Sequence, residues 1–284
     1  MLLREVEYAR PATVEEAIAL LSEHDGARAL AGGQTLVNVM KARAASPDVL
    51  VDLADLDELR QISFSDDQSA LEIGAMVTST QLAASSEVEV ARPILAEVVS
   101  TIADVQVRNR GTVGGNICVN DPTNHLPPLF VALGASMTIR STEGERIVAA
   151  EDFLLGVYTT AVEEGELLTK VSVPTRNSGT GDAMEGITLG AHGTYVVSAA
   201  ATVGPGGVRV AIGCVSSAPV RATAMEQALA GGDLSEEAVR AAAAGLGASL
   251  DPPSDVHASA DYRRHLAEVS AVRAVLKAAE RAKG

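Results

Sequence analysis

The chain has 284 residues, which exceeds a typical single domain and sets two domains as the prior expectation. Its 37 acidic against 22 basic side chains give a formal net charge of −15, which argues against nucleic acid as a partner. Two cysteines exclude both a disulfide framework and an iron–sulfur cluster held by this chain alone, since a cluster needs about four thiolates.

The N-terminus, Met1-Leu2-Leu3-Arg4-Glu5, lacks the apolar run of a signal peptide. No stretch of ~18 apolar residues follows anywhere, so no transmembrane helix is expected and the cytoplasm is the default location. Thr13 with Glu16 three residues on forms a capping box, and Val14, Ala17, Ile18 and Leu21 follow helical spacing. Asp25-Gly26 ends that helix. Arg28-Ala29-Leu30-Ala31 reads as a strand running into Gly32-Gly33-Gln34-Thr35, and residues 35–44 read as a helix stopped before Ser46-Pro47. Residues 49–53 are a buried strand. This makes a small α/β unit.

Residues 61–65 and 70–75 flank the turn at Asp66-Asp67 and predict an antiparallel pair. Thr78 and Gln81 form a second capping box, and a helix is expected over about 93–102. A second glycine-dense segment follows, Gly111-Thr112-Val113-Gly114-Gly115-Asn116. Pro127 opens a helix through Leu133, and residues 136–140, 145–149 and 167–173 are strands. Residues 175–186, rich in Gly, Ser, Asn and Asp, suggest a linker. Beyond it, strands over about 184–189, 195–203 and 208–215 and helices over about 222–229, 235–246 and 259–282 make an α+β layer with a three-stranded antiparallel sheet.

The two glycine segments carry most of the functional information. Glycine pairs let a backbone approach a ligand closely, and clustered N–H groups form an anion site suited to phosphate. Two such segments suggest a ligand with linked phosphates gripped from both sides. Neither is a common nucleotide signature: the chain has no Gly-Lys pair for a Walker loop, and the second segment reads G-x-x-G-G rather than G-x-G-x-x-G. His24, His125, His192, His257 and His265 show no metal-ligand spacing, and Cys118 and Cys214 read as small buried hydrophobes.

Ala31-Gly32-Gly33-Gln34-Thr35-Leu36, with Lys41 and Pro47 after it, together with Gln106-Val107-Arg108-Asn109-Arg110-Gly111-Thr112-Val113-Gly114-Gly115-Asn116, resembles the FAD-binding medium subunit of the molybdenum hydroxylases. That family includes the flavoprotein subunits of carbon monoxide dehydrogenase and is similar to the flavin segment of xanthine dehydrogenase. The resemblance covers nearly the whole chain. It implies a vanillyl-alcohol-oxidase-type FAD domain over 1–175, in two α/β lobes of about 1–56 and 57–175, and a C-terminal α+β domain over 183–284.

The resemblance further implies that Ala31 lets the flavin pass. Gly32, Gly33, Gln34 and Thr35 contact the pyrophosphate through N–H groups and the Thr35 hydroxyl, Leu36 belongs to the same cofactor-binding loop, and Thr112, Gly114, Gly115 and Asn116 hold the other side and the ribityl chain. Asp121 belongs to the next loop, His125 stands where relatives commonly carry Asp, and Tyr195 shields one face of the isoalloxazine. Lys41 could neutralise phosphate charge. FAD is expected to be non-covalent, with molybdopterin and [2Fe–2S] clusters confined to large and small partner subunits in a dimer of heterotrimers. The implied role is electron transfer from those clusters to an external acceptor. A flavin-free scaffold and a stand-alone flavin oxidase are the competing readings; two intact glycine segments argue against the first, and the lack of an evident substrate base against the second.

Overall fold

Thr13 starts the first helix as its sequence requires: the Thr13 hydroxyl accepts the Glu16 N–H at 3.1 Å, and Val14, Ala17, Ile18 and Leu21 form the buried face of helix Val14–Glu23. The return half of the capping box differs, because the Glu16 carboxylate accepts from the N–H of Ala12. The second box, Thr78 with Gln81 on helix Ser79–Ala84, is complete in both directions. The computed structural model describes residues 3–190 and 193–284, so His192 lies outside the described residues.

Helix Val14–Glu23 packs on a three-stranded parallel sheet in the order Glu7–Ala9, Val49–Asp52, Ala27–Leu30. Val49 and Val51 join the helix face in the core of this first lobe. Strand Glu7–Ala9 was not expected. It is three residues long and mostly exposed, so it carries no hydrophobic pattern to read. The helix expected over 35–44 is shorter, Leu36–Lys41.

The second lobe holds a five-stranded sheet in the order Ile62–Phe64, Ala70–Gly74, Leu167–Pro174, Ser136–Ser141, Gly144–Ala149. Every pairing is antiparallel, so this lobe is α+β in character, its helices gathered against the sheet rather than alternating with strands. Phe130, Phe153, Leu95 and Ile117 are fully buried in its core. Most of the second glycine motif is helical: Val105–Arg110 is capped by Asp104, and Val113–Val119 by Thr112. Glycine lowers helix propensity by about 1 kcal/mol per residue, so a propensity reading sees a loop where the Thr112 cap and tertiary packing impose a helix.

The C-terminal sheet orders Gly181–Thr188, Tyr195–Gly204, Gly207–Gly213 and Val220–Arg221, all antiparallel. The expected three strands are joined by a two-residue edge strand too short to be seen in sequence. Gly181–Thr188 takes up the second half of the Gly- and Asp-rich stretch after Pro174. Helix Ala260–Arg281, capped by Ser259, lays Ala267, Ala271, Ala274, Val275 and Ala278 on this sheet. These small residues permit close approach: a Cβ on Gly181 would fall 2.1 Å from the Ala278 carbonyl oxygen.

Helix Leu126–Leu133 joins the two halves of the molecule. All eight of its residues are buried, because it contacts the second lobe's sheet and also strands Tyr195–Gly204 and Gly207–Gly213. A buried ion pair adds to the junction. The Arg92 guanidinium donates to both oxygens of Asp182, at 2.7 and 2.8 Å, and to the Pro174 carbonyl at 2.7 Å.

Candidate cofactor cleft

The two glycine segments meet. Gly32 lies so close to the backbone of Arg110 and Gly111 that a Cβ there would stand 1.9 Å from the Arg110 carbonyl oxygen. Gly33 turns the chain with φ +71°, a conformation costly for other residues. Around this contact is a cleft of about 410 Å³ lined by Ala31, Gly32, Gly33, Gln34, Thr35, Leu36, Thr112, Gly115 and Asn116. Nine of the thirteen residues named for the cofactor therefore come together in one place.

The amides divide into two groups. Those of Gly32, Gly33, Gln34 and Thr35 have no hydrogen-bond partner among the described residues. Those of Gly114, Gly115 and Asn116 in the second segment are engaged within the chain: Gly114 donates to Ala75 O at 2.8 Å, Gly115 to the Thr112 hydroxyl at 3.0 Å, and Asn116 to Thr112 O at 2.9 Å. The first segment thus presents a run of donors, and Gly114, Gly115 and Asn116 present surface. Gly114 serves packing, since a Cβ there would lie 2.6 Å from Ala75 Cβ. Asn116 offers an acceptor: its Oδ1 is buried with no partner, while its backbone carbonyl accepts from Asn124 Nδ2 at 3.0 Å. A ligand with both anionic oxygens and hydroxyl groups satisfies these free amides and this free acceptor.

The cleft continues. A second hollow of about 510 Å³ shares Arg28, Ala29, Ala31, Gly115 and Cys118 with it and runs between the lobes to Met76 and Leu168. Gly114 lines this hollow. A third, of about 730 Å³, meets the second at Tyr158 and is lined by Asp121, Tyr195, Cys214 and Arg263. Lys41, at the end of its helix, is exposed and lines none of the three.

His125 lines none of them either. It is buried, 6% exposed, with its ring against that of Tyr195 at a centroid separation of 4.4 Å. Burial pushes the His125 pKa down to about 4 and that of Tyr195 up to about 12, so both rings are neutral at pH 7. Burial likewise pushes the Cys118 and Cys214 thiols up to about 12, which leaves both protonated. Among the described residues no cluster of His, Cys, Asp or Glu could hold a metal ion, and no helix is long and apolar enough to cross a membrane.

Sequence reasoning missed three contributors. Asn120, left-handed at φ 43°, donates to the carbonyls of Gly156 and Thr159 at 2.7 and 3.1 Å and tethers a small hairpin, Leu154–Gly156 with Thr159–Thr160. Tyr158, at that hairpin's tip and also left-handed, reaches Asp121 with its hydroxyl at 3.2 Å. The Asp121 charge raises the Tyr158 pKa. Cys118 lies on the wall shared by the first two hollows. The Asn-Asp pair after Val119 was the only sequence signal for the first of these, since Asn tolerates the left-handed region.

Residues 4–176 match the family model described as the FAD binding domain in molybdopterin dehydrogenase. Residues 188–278 match the CO dehydrogenase flavoprotein C-terminal domain. The carbon monoxide dehydrogenase medium chain of Afipia carboxidovorans is 39% identical over 284 residues, covering 98% of both chains. The nicotine 6-hydroxylase medium subunit of Paenarthrobacter nicotinovorans is 33% identical, covering 99% of this chain and 100% of that one. Among solved structures, a chain of the Cu,Mo-CO dehydrogenase in its cyanide-inactivated form superposes with a TM-score of 0.94 at 36% identity, over 99% of this chain and 100% of that chain. The cleft, the domain order and these likenesses agree: the chain belongs to the FAD-binding medium subunits of the molybdenum hydroxylases, a family of oxidoreductase subunits that includes those of carbon monoxide dehydrogenase and xanthine dehydrogenase.

Proposed function

We propose that this chain holds one FAD non-covalently along the cleft, with the pyrophosphate on the free amides of Gly32, Gly33, Gln34 and Thr35. The observation that carries this reading is the meeting of those amides with the close-packed backbone at Arg110 and Gly111. Thr112 and Gly115 form the facing wall, and Asn116 Oδ1 accepts a hydroxyl of the ribityl chain. When bound, the flavin supplies the redox chemistry, taking electrons from [2Fe–2S] clusters of a small partner subunit and passing them to an external acceptor.

The chain's own part is to bind, orient and cover. Ala31 and Gly115 leave the passage between the first two hollows open. Asp121 anchors the loop and hairpin beside the third hollow, and Tyr195, from the C-terminal domain, covers the flavin ring and limits access to it. Substrate oxidation belongs to a large molybdopterin subunit, in a cytoplasmic complex assembled as a dimer of heterotrimers.

The test is flavin content. Gly115→Leu would place a Cβ 2.9 Å from the Thr112 hydroxyl and 3.8 Å from Ala31 Cβ, and add bulk to the wall that the first two hollows share. The purified complex should then lose its flavin while keeping its subunits. Acid denaturation of the wild type should release all flavin into the supernatant; flavin left on the polypeptide, or full occupancy in Gly115→Leu, refutes the assignment.

A further inference from the structure

Tyr195 is closely approached by two residues outside the glycine segments. The His125 ring lies at 4.4 Å between centroids and is tilted by 48°. Gly186 belongs to the neighbouring strand, and a Cβ there would come within 2.8 Å of Tyr195 Cδ1 and Cε1. Only glycine leaves that space open.

The local sequence explains why His125 is available for this contact. It precedes helix Leu126–Leu133, but its side chain makes no capping bond. Pro127 and Pro128 occupy the first turn and lack N–H groups, so little there needs a cap. A carboxylate at this position would gain from the helix dipole. Histidine forgoes that gain and brings a flat ring, which burial keeps uncharged and suited to aromatic packing.

Resting on the reading that Tyr195 covers the flavin, we propose that His125 is a positioning residue that fixes the Tyr195 ring over the cofactor, and is not itself a cofactor contact. The helix of the second lobe thereby sets the geometry of a shield that belongs to the other domain. Aromatic pairs of this kind bias a ring between two positions by a factor of about two to ten. Losing the pair should open the shield for a correspondingly larger fraction of the time.

The experiment uses the complete complex with His125→Ala, His125→Phe and Tyr195→Ala. It reads flavin content, flavin fluorescence and the rate at which oxygen reoxidises the reduced flavin. His125→Ala should keep its FAD, become more fluorescent, and reoxidise about two- to tenfold faster. His125→Phe, which restores a ring, should return both signals toward wild type. Should His125→Ala fail to assemble, His125→Leu, which keeps bulk without a ring, replaces it. If Tyr195→Ala alters the flavin signals and His125→Ala does not, the positioning role is wrong while the Tyr195 shield stands. If neither variant alters them, both ideas fall. A His125→Phe variant as perturbed as His125→Ala also overturns the proposal.

Discussion

The ring of His125 lies against the ring of Tyr195, 4.4 Å between centroids, and this contact joins the second lobe to the C-terminal domain beside the third hollow. Two features make it possible. The burial of all eight residues of helix Leu126–Leu133 carries His125 into the domain junction. The bulge between Ile187 and Thr188 brings Tyr195 into line with Thr188, at the start of its strand. A surface histidine would have neither consequence.

The burial of His125 has a pH signature. Its pKa falls from 6.5 to about 4, so the folded protein favours the neutral ring. The stabilisation is fully present above pH 6.5, declines as pH falls toward 4, and is gone below that. A shift of this size corresponds to about 3 kcal/mol. Thermal melting of wild type and His125→Phe between pH 7.5 and 4 should show the wild type losing more stability across that window. Parallel curves would mean that His125 titrates normally.

Gly32 is the position where the first glycine segment tolerates least. In Gly32→Ala the new Cβ meets Arg110 O and C at 1.9 and 2.7 Å, both backbone atoms that no rotamer change can move. The two segments must separate, at a cost of about 1–3 kcal/mol. Flavin per polypeptide should fall well below wild type, with a lower melting temperature. Gly207→Ala, whose Cβ meets nothing within 4 Å, gives a control for backbone strain away from the cleft. Equal flavin content in both variants would show that the approach at Gly32 is irrelevant to binding.

The sequence revealed the cleft more fully than it revealed its chemistry. Strand and helix boundaries around Thr13, Thr78, Ser235 and Ser259 were legible because their hydroxyls cap through local bonds. The gathering of nine named residues at one cleft was legible because both segments carried long motifs. Which glycine amides are free was not, since Ala75, which accepts from Gly114, lies 39 positions earlier in the chain. The His125–Tyr195 contact spans 70 positions and depends on how two domains dock, which no local pattern encodes. The short edge strands Glu7–Ala9 and Val220–Arg221 were missed because two or three residues carry no period.

The Arg92–Asp182 pair fastens the C-terminal sheet to the second lobe. Both side chains are about 95% buried, and the carboxylate also accepts from the Thr202 hydroxyl at 2.8 Å. Asp182→Ala leaves a buried guanidinium without its counter-charge and should cost about 3–5 kcal/mol. Replacing both partners, Arg92→Met with Asp182→Leu, should recover most of that loss. Thermal denaturation of the single and double variants measures the difference. A double variant no better than Asp182→Ala would show that the pair is needed for more than charge balance.

Asn120 holds the hairpin whose tip, Tyr158, stands between the second and third hollows. Asn120→Gly keeps the left-handed backbone at no steric cost and removes both side-chain bonds, each worth about 1 kcal/mol. Asn120→Ala removes the same bonds and adds left-handed strain of about 1–2 kcal/mol. Leu155, Val157 and Tyr158 are already exposed, so chymotrypsin should cut this hairpin faster in Asn120→Gly than in wild type, and faster still in Asn120→Ala. FAD should remain bound in the glycine variant, because the amides of Gly32 through Thr35 are untouched. Cleavage in the hairpin at the wild-type rate in both variants would mean that the Asn120 side chain does not tether it, and that the Tyr158–Asp121 contact and the bond from the Tyr158 N–H to the Asn120 carbonyl hold the tip.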